Sequence, residues 1–224
     1  MKIVAIIPAR GNSKGIKKKN LIQFQGKPLI YWTVKQALES KFIDNVYVSS
    51  DNKEILDYSK KIGAETIIRP KLISGHKATS ESALIHGVKN ISVNADIVVF
   101  LQVTSPIRKR NDIDNAIRKF KKDKVDSLFS ASNLEDFNIW LEKDSKLNSI
   151  NYDWKNRSRR QDKKGTIWCE NGSIYVIKTK NLIKKNNRIS KNFSIYEMNI
   201  WQAFEIDEKK DIPFLEIIFR DLIK

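Results

Sequence analysis

The sequence predicts an α/β protein with three layers, in which a mostly parallel sheet carries helices on both faces. Apolar runs alternate along the chain with amphipathic segments of helical spacing. The apolar runs are continuous, which is typical of parallel strands that are buried on both sides. A length of 224 residues suffices for one large domain with its own core.

The first 132 residues contain the clearest elements. Five apolar runs are predicted strands: 3–9, 45–50, 65–70, 96–106 and 127–132. Four amphipathic segments between them are predicted helices: 27–40, 52–64, 80–91 and 111–123. Gly63 ends the second helix, Pro70 ends the third strand, and Asn111 or Asp112 opens the fourth helix.

The pattern loosens between residues 133 and 168 into polar, tryptophan-bearing sequence with basic clusters. This stretch is either a long excursion or an arm that binds a partner. Ordered segments return afterwards at 173–178, 179–186, 194–199 and, as a final amphipathic helix, 211–224. Because no repeat and no linker divides the chain, we predict a single domain, 1–224, with 133–168 as an inserted arm.

Composition excludes several classes of protein. The chain is 41% hydrophobic with five tryptophans, which favours a globular protein over a disordered one. No apolar run approaches the ~20 residues that cross a bilayer, and the start is charged too early for a signal peptide. A single cysteine, Cys169, excludes an internal disulfide framework and fits a reducing cytoplasm. One cysteine and two histidines are too few for a zinc site.

The chain is strongly basic, with 42 Lys and Arg against 26 Asp and Glu and a formal net charge of +16. This charge fits a nucleic-acid footprint, a funnel for small polyanionic substrates, or the composition of a lysine-rich proteome. The short clusters at 17–19, 108–110 and 157–160 match no RNA- or DNA-binding motif. We therefore favour surface solvation over a nucleic-acid partner.

The loop from Arg10 to Asn20 follows the first strand, where ligands of open parallel sheets bind. It matches neither the Walker nor the dinucleotide glycine pattern. Its composition still suits a triphosphate, since glycines admit backbone N–H groups and the other side chains donate hydrogen bonds or positive charge. The residues concerned are Arg10, Gly11, Ser13, Lys14, Gly15 and Lys19. A solvated basic turn is the alternative interpretation.

Seven segments, in register along nearly the whole chain, resemble one family. They are IIPARGNSKGIKKKN, VYVSSDNKEI, RP at 69–70, LQVTSPIR, RQ at 160–161, NGSIY at 171–175 and FEIDEKKD. Together they resemble the cytidylyltransferases that activate acidic nine-carbon sugars, namely the CMP-N-acylneuraminate (sialic acid) synthetases and the bacterial CMP-legionaminate branch. The resemblance implies a Rossmann-like nucleotide-diphospho-sugar transferase fold.

The activity implied by this resemblance is transfer of CMP from CTP to the anomeric hydroxyl of an acidic 2-keto-3-deoxy nine-carbon sugar, with release of pyrophosphate. Such a transfer mainly requires positioning of groups and neutralisation of charge. The first alternative is a CMP-3-deoxy-manno-octulosonate synthetase or another sugar nucleotidyltransferase of this fold. A basic nucleic-acid-binding protein and an inactive relative are further alternatives.

The resemblance also implies roles for single residues. The expected nucleotide-binding residues are Arg10, Gly11, Ser13, Lys19, Asn20, Arg69 and Ser80, and the last two would read cytosine. The expected sugar-binding residues are Gln102, Arg160 and Tyr175. Arg10, Lys19 and Asp207 are the expected catalytic residues, and Asp207 is also a candidate general base. The stretch 133–168 matches the family's dimerisation segment, which implies a homodimer.

Magnesium is the expected cofactor, because a nucleotide enzyme supplies one or two carboxylates while phosphates and water complete the shell. Glu205 and Asp207 are two residues apart, which would place them on one side of a strand end. The family carries Asp at both positions, so Glu205 is a departure and Asp207 is the expected principal ligand. Asp211 is predicted to cap the last helix.

Overall fold

The computed structural model describes residues 1–13, 15–134, 137–162 and 165–222, without the side chains of Arg160 and Leu222. Its strands are β1 (Ile3–Pro8), β2 (Gln23–Phe24), β3 (Lys27–Pro28), β4 (Asn45–Ser50), β5 (Glu65–Ile68), β6 (Ile97–Leu101), β7 (Ser127–Asn133), β8 (Trp140–Lys143), β9 (Lys146–Ser149), β10 (Trp168–Lys178) and β11 (Phe193–Met198). Its α-helices are α1 (Leu29–Leu38), α2 (Lys53–Lys61), α3 (Ser80–Lys89), α4 (Asp112–Asp123), α5 (Thr179–Lys185) and α6 (Asp211–Leu222).

The central sheet has seven strands in the order β11-β7-β10-β6-β1-β4-β5. β1 pairs in parallel with both β4 and β6, and the β4–β5 and β7–β11 pairs are also parallel. β10 runs antiparallel to its neighbours β6 and β7. The prediction of a mostly parallel sheet is therefore confirmed, with β10 as the exception among its described strands.

Two apolar clusters, one on each face of the sheet, make the molecule three-layered. Ile3, Ala5 and Ile7 of β1 pack in the cluster that contains residues of α1, α2, α4 and α6. Val4 and Ile6 point to the other face and join the cluster that contains residues of α3 and α5. Because successive side chains of a strand alternate between faces, a continuous apolar run serves both layers.

Several elements are shorter than predicted, and one is longer. Pro28 precedes α1 and pairs within the small β2–β3 hairpin, so the first helix begins at Leu29. The predicted strand 96–106 ends at Leu101, after which the chain turns into the loop that bears Gln102. The last long strand begins at Trp168 rather than at residue 173, and an irregular register between Glu170 and Tyr175 hides its alternation in the sequence.

Within the predicted arm, 133–168, the chain forms a separate two-stranded hairpin of β8 and β9. Left-handed residues Asp144 and Ser145 make its turn. The hairpin and the chain beside it expose several large apolar side chains: Phe137, Trp140, Leu141, Leu147, Ile150 and Trp154. Across the described ranges, no helix is long and apolar enough to span a bilayer.

Candidate active site

Two adjoining cavities lie at the carboxyl ends of β1, β5 and β6. The first has a volume of about 350 Å³ and is lined by Arg10, Arg69 and Ser80, among others. The second, of about 230 Å³, shares Pro8, Arg10 and Ser80 with it and is also lined by Gln102 and Glu205. We call the two together the cleft. The predicted position at the carboxyl ends of parallel strands is therefore the position that the cleft occupies.

A larger cavity of about 750 Å³ lies at the opposite edge of the sheet, lined by Met1, Ile97 and Thr179 among others. None of the residues predicted for the site lines it. The largest of these three cavities and the predicted site residues therefore lie in different places. We assign the candidate site to the cleft, because phosphate transfer requires convergent charges and donors.

The loop after β1 packs closely against neighbouring segments at its two glycines. The N–H of Gly11 donates to Asp51 Oδ1 at 2.9 Å, and a Cβ on Gly11 would lie 2.8 Å from Cβ of Asn52. A Cβ on Gly15 would lie 2.4 Å from the backbone oxygen of Asp207. The Gly11 N–H is thus engaged by a carboxylate, whereas we expected it to be free for a phosphate.

Asn20 holds this loop from beneath. It is 6% exposed, and its Nδ2 donates to the backbone oxygen of Arg10 at 2.8 Å. The bond fixes the point at which the chain leaves β1, while Asn20 also forms part of the cavity wall beside Ser13 and Lys19. Lys14 and the Arg160 side chain fall outside the described residues.

Lys19 and Asp207, which we expected to bind the triphosphate and the metal respectively, form an ion pair with each other. Lys19 Nζ lies 2.7 Å from Oδ1 of Asp207, and the two side chains are 13% and 67% exposed. The ammonium is therefore nearly covered, whereas the carboxylate faces solvent at the mouth of the cleft. Asp207 reaches the cleft through this pair and does not itself line either cavity.

Glu205 lies at the floor of the smaller cavity and accepts three side-chain hydrogen bonds. Gln102 Nε2, Thr104 Oγ1 and Ser105 Oγ donate to its carboxylate at 2.9, 3.0 and 3.1 Å. Burial raises the pKa of the Glu205 carboxyl, and the nearby Asp207 adds to the rise, while Thr104, Ser105 and Lys19 oppose it. Glu205 is thus a partly desolvated carboxylate held in a defined orientation.

Arg69 lines the 350 Å³ cavity of the cleft as a buried cation. It is 5% exposed, and its Nε donates to Ser74 Oγ at 3.1 Å. Burial lowers the pKa of its guanidinium, the charge of Asp51 raises it, and that of Arg10 lowers it. Arg10, Arg69 and Asp51 therefore form one charge cluster, in which positive charge is in excess.

Comparison with known proteins decides what this arrangement belongs to. A family model described as cytidylyltransferase matches residues 4–218. The chain belongs to the cytidylyltransferase family. It is accordingly a nucleotidyltransferase, as its sequence predicted.

Relatives of this cytidylyltransferase have closely related names. It is 29% identical to a pseudaminic acid cytidylyltransferase of Campylobacter jejuni, covering 98% of this chain and 97% of the relative. It is 33% identical to an N-acylneuraminate cytidylyltransferase of Oncorhynchus mykiss, covering 96% of this chain but 49% of that longer protein. A CMP:2-keto-3-deoxy-manno-octonic acid synthetase solved with CTP has the same fold, with a TM-score of 0.74, 16% identity, and coverage of 98% and 99% of the two chains.

The carboxylates of this cytidylyltransferase suit a hard divalent cation. In the described part of the chain no group of three or more His, Cys, Asp or Glu is arranged to hold a metal. A magnesium ion beside a nucleotide needs only one or two carboxylates, because phosphates and water supply its other ligands. Asp207, which is exposed, and Glu205, whose pKa is raised first by burial and then by Asp207, would be the oxygen donors for such an ion.

The segment that carries these carboxylates is not a strand end, as we had predicted, but an irregular stretch with two fixed points. The N–H of Ile206 donates to the backbone oxygen of Thr104 at 2.9 Å. The carboxylate of Asp211 accepts the N–H groups of Asp207 and Glu208 at 2.9 and 2.7 Å. Asp211 is the first residue of α6, the acidic first-turn position predicted for it, and its hydrogen bonds hold the turn before the helix.

Tyr175 supports the cleft from behind, which differs from its predicted place in the sugar pocket. It is 3% exposed and lines neither cavity. Its ring stacks on that of Phe100 with 5.2 Å between centroids, and Phe100 does line the smaller cavity. Its hydroxyl donates to Glu170, and burial, then this carboxylate, raise the pKa of Tyr175.

Sequence reasoning missed Arg108, the most buried cation beneath the cleft. It is 1% exposed, and it donates to the backbone oxygens of Gln102 and Ser173 at 2.7 and 2.9 Å. It also donates to side chains of α1, Thr33 and Gln36. Burial lowers the pKa of Arg108 to about 9. Its place at the end of the LQVTSPIR segment was a signal that we had assigned only to a surface basic cluster.

Two further residues were missed. Asp51 follows β4 within the VYVSSDNKEI segment and holds the Gly11 amide. Gly172, in the NGSIY segment, has φ +68°, and a Cβ there would lie 2.3 Å from Glu205 Oε1 and 2.6 Å from Gln102 Nε2. Both residues stand in segments that carry the family resemblance, so their motifs were visible although their contacts were not.

Proposed function

We propose that this cytidylyltransferase transfers CMP from CTP to the anomeric hydroxyl of an acidic 2-keto-3-deoxy nine-carbon sugar, of sialic or legionaminic acid type, and releases pyrophosphate. The observation that carries the proposal is one cleft that is lined by Arg10, Lys19, Arg69 and Glu205, with Asp207 ion-paired to Lys19 at its mouth. The names of the relatives support an acidic sugar as the acceptor.

In this proposal the triphosphate lies across the loop after β1. Arg10 donates to phosphate oxygens through its planar fork, Ser13 donates through its hydroxyl, and Lys19 neutralises the departing pyrophosphate. The cytosine enters the 350 Å³ cavity of the cleft, between Arg69 and Ser80. Because Arg69 is already desolvated, a donor–acceptor match with the base costs little further reorganisation.

Magnesium is the proposed cofactor, held by Asp207 and Glu205. When bound, it would supply positive charge at the triphosphate. Lys19 Nζ pairs with Oδ1 of Asp207, so an ion held at this carboxylate would compete with the ammonium, which would then be free for a phosphate.

The acceptor sugar is proposed to sit in the smaller cavity, with its hydroxyls near the amide of Gln102. Its anomeric oxygen forms a bond to the α-phosphorus of CTP, the bond from that phosphorus to the bridging oxygen of pyrophosphate breaks, and the hydroxyl proton passes to Asp207. Arg108 and Gly172 contribute by fixing Gln102 and Glu205 in place.

We further propose a homodimer that forms through the arm 133–168 and works in the cytoplasm. The exposed apolar side chains of the β8–β9 hairpin support the dimer, since large apolar side chains exposed together on one small element are typical of a surface that meets a partner. The single cysteine supports a reducing compartment.

A panel of acceptors tests the proposed function. The protein is incubated with CTP, Mg²⁺ and, one at a time, N-acetylneuraminic, legionaminic, pseudaminic and 3-deoxy-manno-octulosonic acids, and pyrophosphate release is measured, with UTP as the nucleotide control. We expect release with at least one of the nine-carbon acids and CTP. Turnover with the eight-carbon acid alone would replace the proposal by the alternative, and tight, salt-sensitive binding of RNA without turnover would refute it.

A further inference from the structure

The cavity of about 750 Å³ has no part in the proposed transfer, and we call it the amino-end cavity. It is lined by Ile97, the first residue of β6, whereas Gln102 follows the carboxyl end of that strand. The five residue steps between them span about 17 Å of extended chain. Its volume falls within the roughly 300–1,000 Å³ that is usual for small-molecule sites. A small ligand bound there would therefore not contact Gln102.

The interior of the amino-end cavity is apolar. Three buried side chains from separate segments line it: Phe120 of α4, Val125 after that helix, and Ile97 of β6. Ile183 of α5 also lines the cavity and is 44% exposed, so one apolar side chain is partly open to solvent. Because moving an apolar group from water onto such a surface is favourable, the cavity suits a ligand with an apolar body.

Positive charge predominates around this apolar interior. Four lysines line the cavity: Lys121, Lys124, Lys178 and Lys180. Among the lining residues that the structure describes, the one carboxylate is Asp96, whose Oδ2 accepts the N–H of Lys2 at 2.6 Å. Lys178 Nζ pairs with Asp126 Oδ1 at 2.8 Å. Even when Asp126 is counted with Asp96, the four lysines leave an excess of two positive charges.

Two of the four ammonium groups are available to a ligand. Within the described ranges, Nζ of Lys124 and Nζ of Lys180 have no hydrogen-bond or ion-pair partner, and both residues are exposed. Lys121 Nζ lies 4.7 Å from the ring centroid of Phe42, a contact that brings no anion to it. The two available charges belong to different segments, the end of α4 and the start of α5.

We propose that the amino-end cavity is a second binding site, which takes a small amphipathic anion. The apolar body of the ligand packs against Phe120 and Val125, and its anionic head lies at Lys124 and Lys180. An uncharged apolar ligand would bring no counter-charge to these lysines, and a small hydrophilic anion would leave the apolar interior in water. The occupant is a free molecule, because a concave cavity admits a single chain but not the flat surface of a bilayer.

Decanoate is the probe, titrated into the protein by calorimetry below its micellar concentration, with and without saturating CTP and Mg²⁺. We expect decanoate to bind, with CTP changing its Kd by less than about twofold, because the cleft lies at the other end of β6. Acetate should bind at least about 100-fold more weakly, since it lacks the apolar body. Decan-1-ol should bind about fivefold or more weakly, since it lacks the charge.

Two substitutions locate the anionic head. Lys180→Glu should raise the Kd for decanoate about fivefold or more, because it turns an attraction into a repulsion. Lys124→Gly should raise it about two- to fivefold without lowering the free energy of unfolding, because φ is 53° or less here, at 52°, and glycine adopts this left-handed conformation freely. Lys122→Glu is the matched control: it reverses a charge in the last turn of α4, but Lys122 does not line the cavity, so the Kd should stay near that of the wild type.

Several results would overturn the proposal. Displacement of decanoate by CTP would place it in the cleft, and equal weakening in Lys122→Glu and Lys180→Glu would show only general attraction to a basic surface. Equally tight binding of decan-1-ol would remove the role of the lysines. Absence of decanoate binding at millimolar concentration would remove the site altogether, whether or not the protein releases pyrophosphate from CTP, so this failure is distinct from failure of the proposed function.

Two further measurements assign the surface to another occupant if decanoate does not bind. Retention of the protein on vesicles of equal parts phosphatidylglycerol and phosphatidylcholine, lost in Lys180→Glu but not in Lys122→Glu, would assign the lysines to a bilayer. Self-association in light scattering that is lost in Ile183→Asp would assign the surface to a second copy of this chain. Either result would replace the free amphipathic anion.

Discussion

Lys19 Nζ lies 2.7 Å from Oδ1 of Asp207, and the bond joins residues that are 188 positions apart in the chain. One partner belongs to the basic loop after the first strand, and the other to the irregular stretch before the last helix. The bond draws both ends of the chain to the mouth of the cleft. It also keeps each charge neutralised until another ligand competes for it.

Removing the ammonium should impair activity much more than stability. We expect Lys19→Ala to lower kcat/KM by about 100-fold or more, because a charge aimed at the leaving group acts mainly in the transition state. The free energy of unfolding should change by only about 1 kcal/mol, since Asp207 is largely exposed. Lys18→Gln breaks the neighbouring exposed pair with Glu54 and is the control, with activity near that of the wild type. Equal losses in both variants would show that Lys19 acts only through the general charge of the loop.

A methyl group at position 172 should distort the acceptor side of the cleft. Gly172→Ala places a Cβ against Glu205 and Gln102 and also strains a left-handed backbone, so we expect both a loss of about 2 kcal/mol or more in unfolding free energy and a strong loss of activity. Gly26→Ala has a similar φ of +72° with nothing within 4 Å. It should show only the backbone cost of about 1–2 kcal/mol, with activity retained. Denaturant unfolding and turnover separate the two, and full activity in Gly172→Ala would contradict the contact.

The two proposed metal ligands should respond differently to substitution. Activity should disappear when divalent cations are chelated and return when Mg²⁺ is added. Asp207→Asn should raise the Mg²⁺ concentration for half-maximal activity about tenfold and should also lower kcat at saturating Mg²⁺, because Asp207 is the proposed base. Glu205→Asp should lower activity rather than restore the family pattern, because the shorter side chain withdraws from Gln102, Thr104 and Ser105. Activity of Glu205→Asp above the wild-type level would instead indicate that Glu205 limits the activity of the wild type.

Asp211 should make the turn before α6 sensitive to acid. The backbone N–H of Glu208 holds the pKa of Asp211 below its usual value. A depressed pKa stabilises the fold above the unfolded value near 3.8 and loses that effect as pH falls through the folded pKa. We therefore expect Asp211→Ala to be less stable than the wild type at pH 7, by about 1–2 kcal/mol from its two hydrogen bonds, and the gap to close well below pH 3.8.

The matched control for Asp211 is Asp44→Ala, at the opposite edge of the sheet. Asp44 also accepts a backbone N–H, from Ile3 at 2.7 Å, and this bond lowers its pKa. Its stability should show the same dependence on pH, but its activity at pH 7 should stay intact. Asp211→Ala should lose activity, because the turn that bears Asp207 loosens. Unfolding by urea at several pH values, with turnover at pH 7, distinguishes these outcomes.

A charge on the arm should dissociate the proposed dimer. Leu141 is 50% exposed on the β8–β9 hairpin, and we expect Leu141→Glu to shift the protein from dimer to monomer in sedimentation or light scattering. Leu72→Glu alters a side chain that is 93% exposed outside the arm and should leave the oligomeric state unchanged. A wild type that is monomeric at micromolar concentration would refute the dimer directly.

Local pattern was enough to predict the architecture and to select a candidate position for the site. Continuous apolar runs such as residues 3–8 define strands that are buried on both faces, and helical spacing defines the layers that cover them. The basic loop after β1 was assigned to ligand binding because the carboxyl ends of parallel strands meet at one edge. Seven short segments in register indicated the family, and the family model confirmed it.

Contacts between distant segments were decided only by the tertiary structure. Nothing in the sequence near Gly11 reveals that its amide donates to Asp51. Nothing near Glu205 reveals that residue 172 must lack a side chain at the point where it contacts Glu205. Tyr175 was placed in the pocket by its motif, yet the alternation of β10 turns its ring into the layer behind Phe100. Arg108 looked like a surface charge until the sheet and α1 enclosed it. A sequence records which groups a chain carries, but which of them meet depends on how strands far apart in the chain are paired, because hydrogen bonds and burial act over a few ångströms of space.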